Sequence, residues 1–314
     1  MRTRVSPLAV AAHWASAGGG HVVAVLHFGS TRTGASPEAR SAHDFFVIVD
    51  DYDAFYRAAR PALGGARSAR FLAWCNRALP PNVLHGTGPG DAEAKLFVLS
   101  ERDLARAAGP RPKDHFVRAR LTQNVGVVWA RDDLASGRAT ALLTSVRRST
   151  STWMRPFLRG EFRPVDFARR MLEVSYASEI RPESAERVSE VIAAQRGFLE
   201  SECAAALEEA CREGRAVRRG EAYAYTRPAG PFERVAARAW LDLSRARATL
   251  RWAKYMWTFS GWLDYIAAKT ERRTGVRVEL GPRERRWPVV FLWPTFFRVM
   301  RARRQSPPRG APPR

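Results

Sequence analysis

The sequence predicts an α/β fold: a small sheet within the first 135 residues, followed by an α-helical C-terminal region. Two observations predict it. Short apolar runs at 21–28 (HVVAVLHF), 44–50 (DFFVIVD), 95–99 (KLFVL) and 125–129 (VGVVW) are separated by Gly/Pro-rich turns and brief helical patterns, as the strands of a small sheet are. From about Pro164 the apolar period changes to steps of three and four, the signature of helices that bury one face. The expected organisation is an α/β domain over 1–135, a helical domain over 136–275, and a basic aromatic tail over 276–314 whose final stretch, from Pro307, is too poor in apolar residues to pack.

The first strand ends on Gly29-Ser30. A glycine there leaves no Cβ in the way of a ligand, and the turn's N–H groups with the Ser30 hydroxyl suit a triphosphate. The second strand carries acids at both ends. Its period of two puts Asp44, Phe46, Ile48 and Asp50 on one face and Asp51 on the other. Carboxylates at a strand end suit Mg²⁺, a hard cation that takes oxygen ligands and bridges phosphates. His43, on the face opposite Asp44, reads as a packing residue. A short helix is expected over Tyr52–Ala59.

In the helical region, Val188, Val191, Ile192, Gln195, Phe198, Leu199 and Glu202 share one face of a helix expected over 183–213, and nothing after it reads as a sheet core. Pro231 opens a second helical pattern that runs to Gly275. It places Trp252, Tyr255, Met256, Phe259, Leu263 and Ile266 on one stripe, read as an aromatic seam against the preceding helix. Arg247, Arg251 and Lys254 interleave with those rings and are candidates to face an acidic or phosphate-bearing ligand. Lys254 stands out because only 4 of the 52 basic residues are lysine.

Composition narrows the rest. A net charge of +21 would ordinarily suggest nucleic acid or an anionic surface, yet the arginine excess accompanies abundant Ala, Gly and Pro, as in a GC-biased coding sequence. Nucleic acid is therefore not the expected partner. Three cysteines form neither a disulfide framework nor a zinc spacing, and their odd number suits a reducing compartment. The apolar run Leu8–Ala12 is too short for an export signal despite Arg2, Arg4 and the Ala15-Ser16-Ala17 triplet, and no run is long enough to span a bilayer. From Gly281 onward nine arginines and one acid flank Trp287, Phe291, Trp293, Phe296 and Phe297, the composition of an interfacial membrane anchor.

The run HFGS(x13)DFFVIVDD resembles the nucleotide-binding signature of the mitochondrial-type phosphatidate cytidylyltransferases, the translocator assembly and maintenance family of the polymerase-beta-like nucleotidyltransferase superfamily. Two later stretches are similar in the same order: Val125-Gly126-Val127-Val128 to a K-Y-G-V strand, and Ser175-Tyr176-Ala177-Ser178-Glu179-Ile180-Arg181 to an S-Y-x-G-D-x-R segment. Lys254, Thr258 and Gly261 resemble a C-terminal lysine, threonine and glycine of that family. Thr31, Asn124 and Glu179 depart from its glycine, lysine and aspartate, and Phe46 stands where many such transferases carry a second metal acid.

The resemblance implies a Mg²⁺-dependent, cytoplasmic enzyme held peripherally on the inner face of the cell membrane, making CDP-diacylglycerol and pyrophosphate from CTP and phosphatidic acid at an anionic membrane surface. Gly29 and Ser30 would bind nucleotide, and Asp44 with Asp50 or Asp51 would bind metal. Asp44, Glu179 and Arg181 would be catalytic, with Lys254, Arg251 and Tyr176 near the substrate. A soluble transferase with another acceptor, or a degenerate nucleotide-binding scaffold, would share the same residues.

Overall fold

A computed structural model describes residues 5–34, 42–65, 67–178, 185–258, 267 and 281–283, with side chains omitted for 185–187. Helix α1 (Pro7–Ala17) is capped by the Ser6 hydroxyl, which accepts from the Ala9 N–H, and has proline in its first turn, where no N–H is missed. It buries Val10, Ala11, Trp14 and Ala15, so the Ala-Ser-Ala triplet lies at the end of a packed helix. Strand β1 (Val22–Phe28) follows, buried along its whole length. A single turn, α2 (Ser30–Thr33), leads towards β2 (His43–Val49).

Asp51 then caps α3 (Tyr52–Ala59) by accepting from the Ala54 N–H, and Ser68 caps α4 (Ala69–Ala78) in the same way. Strand β3 (Asn82–Thr87) pairs antiparallel with β4 (Glu93–Ser100), after which come α5 (Glu101–Ala108), α6 (Phe116–Leu121) and β5 (Gly126–Ala130). The sheet order is β3-β4-β2-β1-β5; only the β2–β4 pair is parallel. The α/β expectation holds, and β3 is a strand that the apolar pattern did not disclose.

The sheet is covered on both faces, which is why β1 and β2 read as continuous apolar runs and not as alternating ones. One face, with Val25, Phe45, Val47, Leu96 and Leu84, packs on α1, α3 and α4. The other, with Leu26, Phe28, Phe46, Ile48, Phe97 and Leu99, packs on α5, α6 and α7 (Asp133–Arg148).

Beyond α7, the turn α8 (Thr150–Trp153) leads to α9 (Pro164–Ala177), α10 (Ala185–Ala194) and α11 (Arg196–Arg212). These share a third core built around Met154, Phe167, Met171, Leu172, Leu199 and Leu207. The helix expected over 183–213 is broken at Gln195, yet Val188, Val191, Ile192, Gln195 and Leu199 are buried on one side of both pieces. A hairpin, β6 (Ala216–Arg219) and β7 (Ala222–Tyr225), corrects the expectation that no sheet follows; Tyr223 and Tyr225 close that core. Helix α12 (Pro231–Thr258) follows. The described residues up to Thr258 belong to one compact unit that holds both the sheet and the helical core. Among the described residues no helix is long and apolar enough to cross a membrane. The basic aromatic tail lies, apart from 281–283, outside the described residues.

Candidate functional site

Strands β1 and β3 end, and β2, β4 and β5 begin, at one end of the sheet. Gly29 leaves β1 there with φ +79°, in the left-handed region that glycine adopts without Cβ strain. The antiparallel register sets Phe28 opposite Asp44, so the turn closes directly over the Asp44 carboxylate. A Cβ at Gly29 would overlap Asp44 Oδ2. Backbone turn and carboxylate are thus in contact through the hydrogen that a glycine has in place of a side chain.

The parallel β2–β4 register brings Lys95 level with Asp44, and its Nζ lies 3.6 Å from Asp44 Oδ1. Both side chains are partly open, 26% and 20% exposed, so the pair can exchange partners with a ligand. Sequence reading missed Lys95: it heads an apolar run, and only a non-local strand pairing reveals its neighbour. Behind Asp44 the same face is aromatic. Phe28 and Phe46 stack at 4.5 Å and Phe97 meets both edge-on, which fills that face with rings.

The turn is braced from the far side. Arg32 Nε donates to Asn124 Oδ1 at 3.0 Å, and the Asn124 N–H donates to Gln195 Oε1 at 3.0 Å. Gly126 is the residue over which the Arg32 guanidinium lies, since a Cβ there would overlap Nη2. Arg147 Nη2 donates to Val125 O at 2.7 Å and holds the start of β5. Asn124, met in the sequence as a lost lysine, therefore orients an arginine, and Gln195 is buried because it orients Asn124. On the other face, His27 Nε2 meets Thr31 Oγ1 at 2.9 Å, and His43 is buried beside His27 and Phe45.

The structure separates other expected site residues from Asp44. Asp50 and Asp51 lie past the opposite end of β2, roughly 20 Å away at the rise of a strand. Asp50 pairs with His21 and Arg131, each at 3.1 Å, and Asp51 caps α3. They do not share a metal with Asp44. Arg251 is buried, donating to Pro80 O and Asp114 Oδ2 with its guanidinium 4.4 Å from the Phe116 ring centre. Burial alone would raise the Asp114 carboxyl, but Arg251 and Arg247 hold it below its usual range.

The Lys254 ammonium donates to Cys75 O, Leu79 O and Pro81 O. Burial, with the Arg251 charge beside it, pulls its pKa down to about 7. Both cations tie α12 to the α4–β3 connection through these carbonyl oxygens. Tyr176 packs beside the α9–α11 core. Glu179 and Arg181 lie outside the described residues. Among the described residues no group of three or more His, Cys, Asp or Glu is placed to hold a metal. Of the three carboxylates expected to hold a metal, Asp44 alone stays beside the Gly29–Ser30 turn.

No protein-family model matches the chain, and no curated protein matches it. Among solved structures it is similar to the STING-associated CdnE c-di-GMP synthase from Capnocytophaga granulosa, with 9% identity over 77% of this chain and 79% of that one. The TM-score is 0.22, a level at which no common topology is implied.

Proposed function

We propose that the chain is a nucleotidyltransferase whose nucleotide seat is the Gly29–Ser30 turn over Asp44. The observation that carries this reading is the absent Cβ at Gly29. A positive-φ glycine in contact with a strand carboxylate, flanked by Lys95 and Arg32, offers what a triphosphate requires: a turn with no Cβ in the way, a hydroxyl, cations, and one oxygen ligand for a divalent ion. Mg²⁺, where bound, would neutralise charge on the phosphates and on the departing pyrophosphate.

The finer reading, supported by the motif order, is CTP with phosphatidic acid as acceptor. A phosphate oxygen of the lipid forms a bond to the α-phosphorus, the α–β bridging P–O bond breaks, and pyrophosphate leaves with that electron pair. The nucleophile is already anionic, so the site needs positioning and charge neutralisation more than a general base. The Asp44–Lys95 ion pair opens as phosphate replaces the carboxylate at Nζ, which frees Asp44 for the metal.

A second reading has a specific observation behind it. Phe46 fills the place of a second acid, and Lys95 neutralises the carboxylate that remains. A protein so built binds nucleotide without turning it over.

Pyrophosphate release from each nucleoside triphosphate with Mg²⁺, with and without phosphatidic acid in mixed micelles, tests both. Release with CTP and phosphatidate that falls at least about a hundredfold in Asp44→Ala, a loss of roughly 2.7 kcal/mol of transition-state stabilisation, is the expected result. CTP binding without release under any acceptor supports the second reading; release unchanged in Asp44→Ala overturns this site.

A further inference from the structure

Helix α12 has two apolar faces. Leu241, Ser244, Ala248, Arg251 and Thr258 are buried against the rest of the unit. A second stripe is exposed: Phe232, Ala239, Ala246 and Ala253 recur every seven residues, and so do Ala236, Leu243, Leu250 and Trp257, four residues on. Phe232 is 90% exposed, Trp257 67%, Leu250 61% and Leu243 55%. A strict seven-residue repeat over four turns-pairs is the seam of a two-helix coiled coil, since 3.5 residues per turn keeps one stripe facing a partner. A helix that needed only to shield its own core would have a single stripe.

We infer that a second copy of this chain covers the seam, with the two α12 helices antiparallel about a twofold axis between Ser244 and Arg245. The register selects this partner. In that arrangement Leu243 faces Ala246, Leu250 faces Ala239, Ala236 faces Ala253 and Phe232 faces Trp257. Each central layer then holds one large and one small side chain, while a parallel pair would stack Leu on Leu and Ala on Ala in alternate layers. The 28-residue helix is about 42 Å long. Its exposed Phe232, Val235, Leu243, Leu250 and Trp257 offer roughly 600 Å² of apolar surface, so a pair buries about 1,200 Å², the lower edge of specific interfaces. The alanines let the axes approach to the short end of the usual 8–10 Å range.

The test is the mass of the full chain by sedimentation across a concentration series. The expected result is a dimer, twice 35.2 kDa, whose midpoint moves at least about tenfold to higher concentration in Leu250→Glu, with helix content and melting temperature of the monomer retained because the residue is exposed. Register is read by mixing Ala239→Cys with Leu250→Cys in a Cys211→Ser background. Oxidation should give a covalent dimer from the mixture and little from either variant alone. A monomer at every concentration overturns the proposal and assigns the stripe to the chain's own residues beyond 258 or, if anionic vesicles protect Trp257 from quenching, to a lipid surface. A dimer that Leu250→Glu leaves intact, or cross-links within each single variant, overturns it equally.

Discussion

At the scale of single residues, two glycines separate backbone strain from steric displacement. Gly29 and Gly34 have nearly the same conformation, φ +79° and +75°, but a Cβ at Gly34 meets nothing within 4 Å, whereas one at Gly29 overlaps Asp44. Alanine at either position pays the left-handed penalty of about 1–2 kcal/mol. Only Gly29→Ala also moves the carboxylate. Nucleotide affinity, followed by titration with Mg²⁺ and CTP, is expected to fall by about tenfold or more in Gly29→Ala and within about threefold of the parent in Gly34→Ala. Equal losses would show that the carboxylate contact contributes nothing to binding. The Gly29-Ser30 turn and Asp44 were legible because their relation is local to one hairpin-like pairing. Lys95, Arg32 and Gln195 were not, since each joins the candidate site through a contact between elements far apart in sequence.

At the scale of elements, β3 shows what an apolar pattern misses. Asn82–Thr87 contains Asn, His, Gly and Thr, so its pairing with β4 is fixed by register and by Asn82, which is fully buried and donates to Leu72 O and the Tyr56 hydroxyl. The buried cations of α12 were misread for a related reason. Basic residues interleaved with rings on a helix look like contacts for an anionic ligand, and nothing local announces that Lys254 meets three carbonyl oxygens. Two of these lie at the C-terminal end of α4: Leu79 O, on the residue that caps the helix, and Cys75 O, which Lys254 shares with the Leu79 N–H. Lys254→Met keeps the stem and removes the donors. It should lower unfolding free energy by about 1–3 kcal/mol, measured by urea denaturation, while CTP affinity is unchanged. A loss of affinity at full stability would return Lys254 to the ligand site that the sequence suggested.

At the scale of the molecule, the sheet unit and the helical core are joined at a histidine that no motif marked. His115, just ahead of α6, is fully buried. Its backbone N–H donates to Ser244 Oγ on α12, its Nε2 lies 3.1 Å from Ser175 Oγ on α9, and its ring meets Trp153 of α8 and Trp240 of α12 edge-on. Nδ1 has no hydrogen-bond partner, so the site accepts neutral imidazole and offers no acceptor to a second N–H. Burial first, then the Arg118 charge, pushes its pKa down to about 3, against the opposing pull of Asp114; Arg120 adds to the lowering. The unfolded chain takes up a proton near pH 6.5 that the folded chain refuses until about pH 3. The stabilisation is therefore complete above pH 6.5 and is lost as pH falls, at about 1.4 kcal/mol per unit between those values. Other groups titrate in this window, so the informative quantity is a difference. His115→Phe leaves the Ser175 hydroxyl without its partner and lowers stability at pH 7.5, but between pH 6 and 4.5 its unfolding free energy should decline less steeply than the parent's by about one proton, and the two curves converge. Parallel curves would mean that His115 is protonated in the folded protein and that the junction of sheet and helices admits charge.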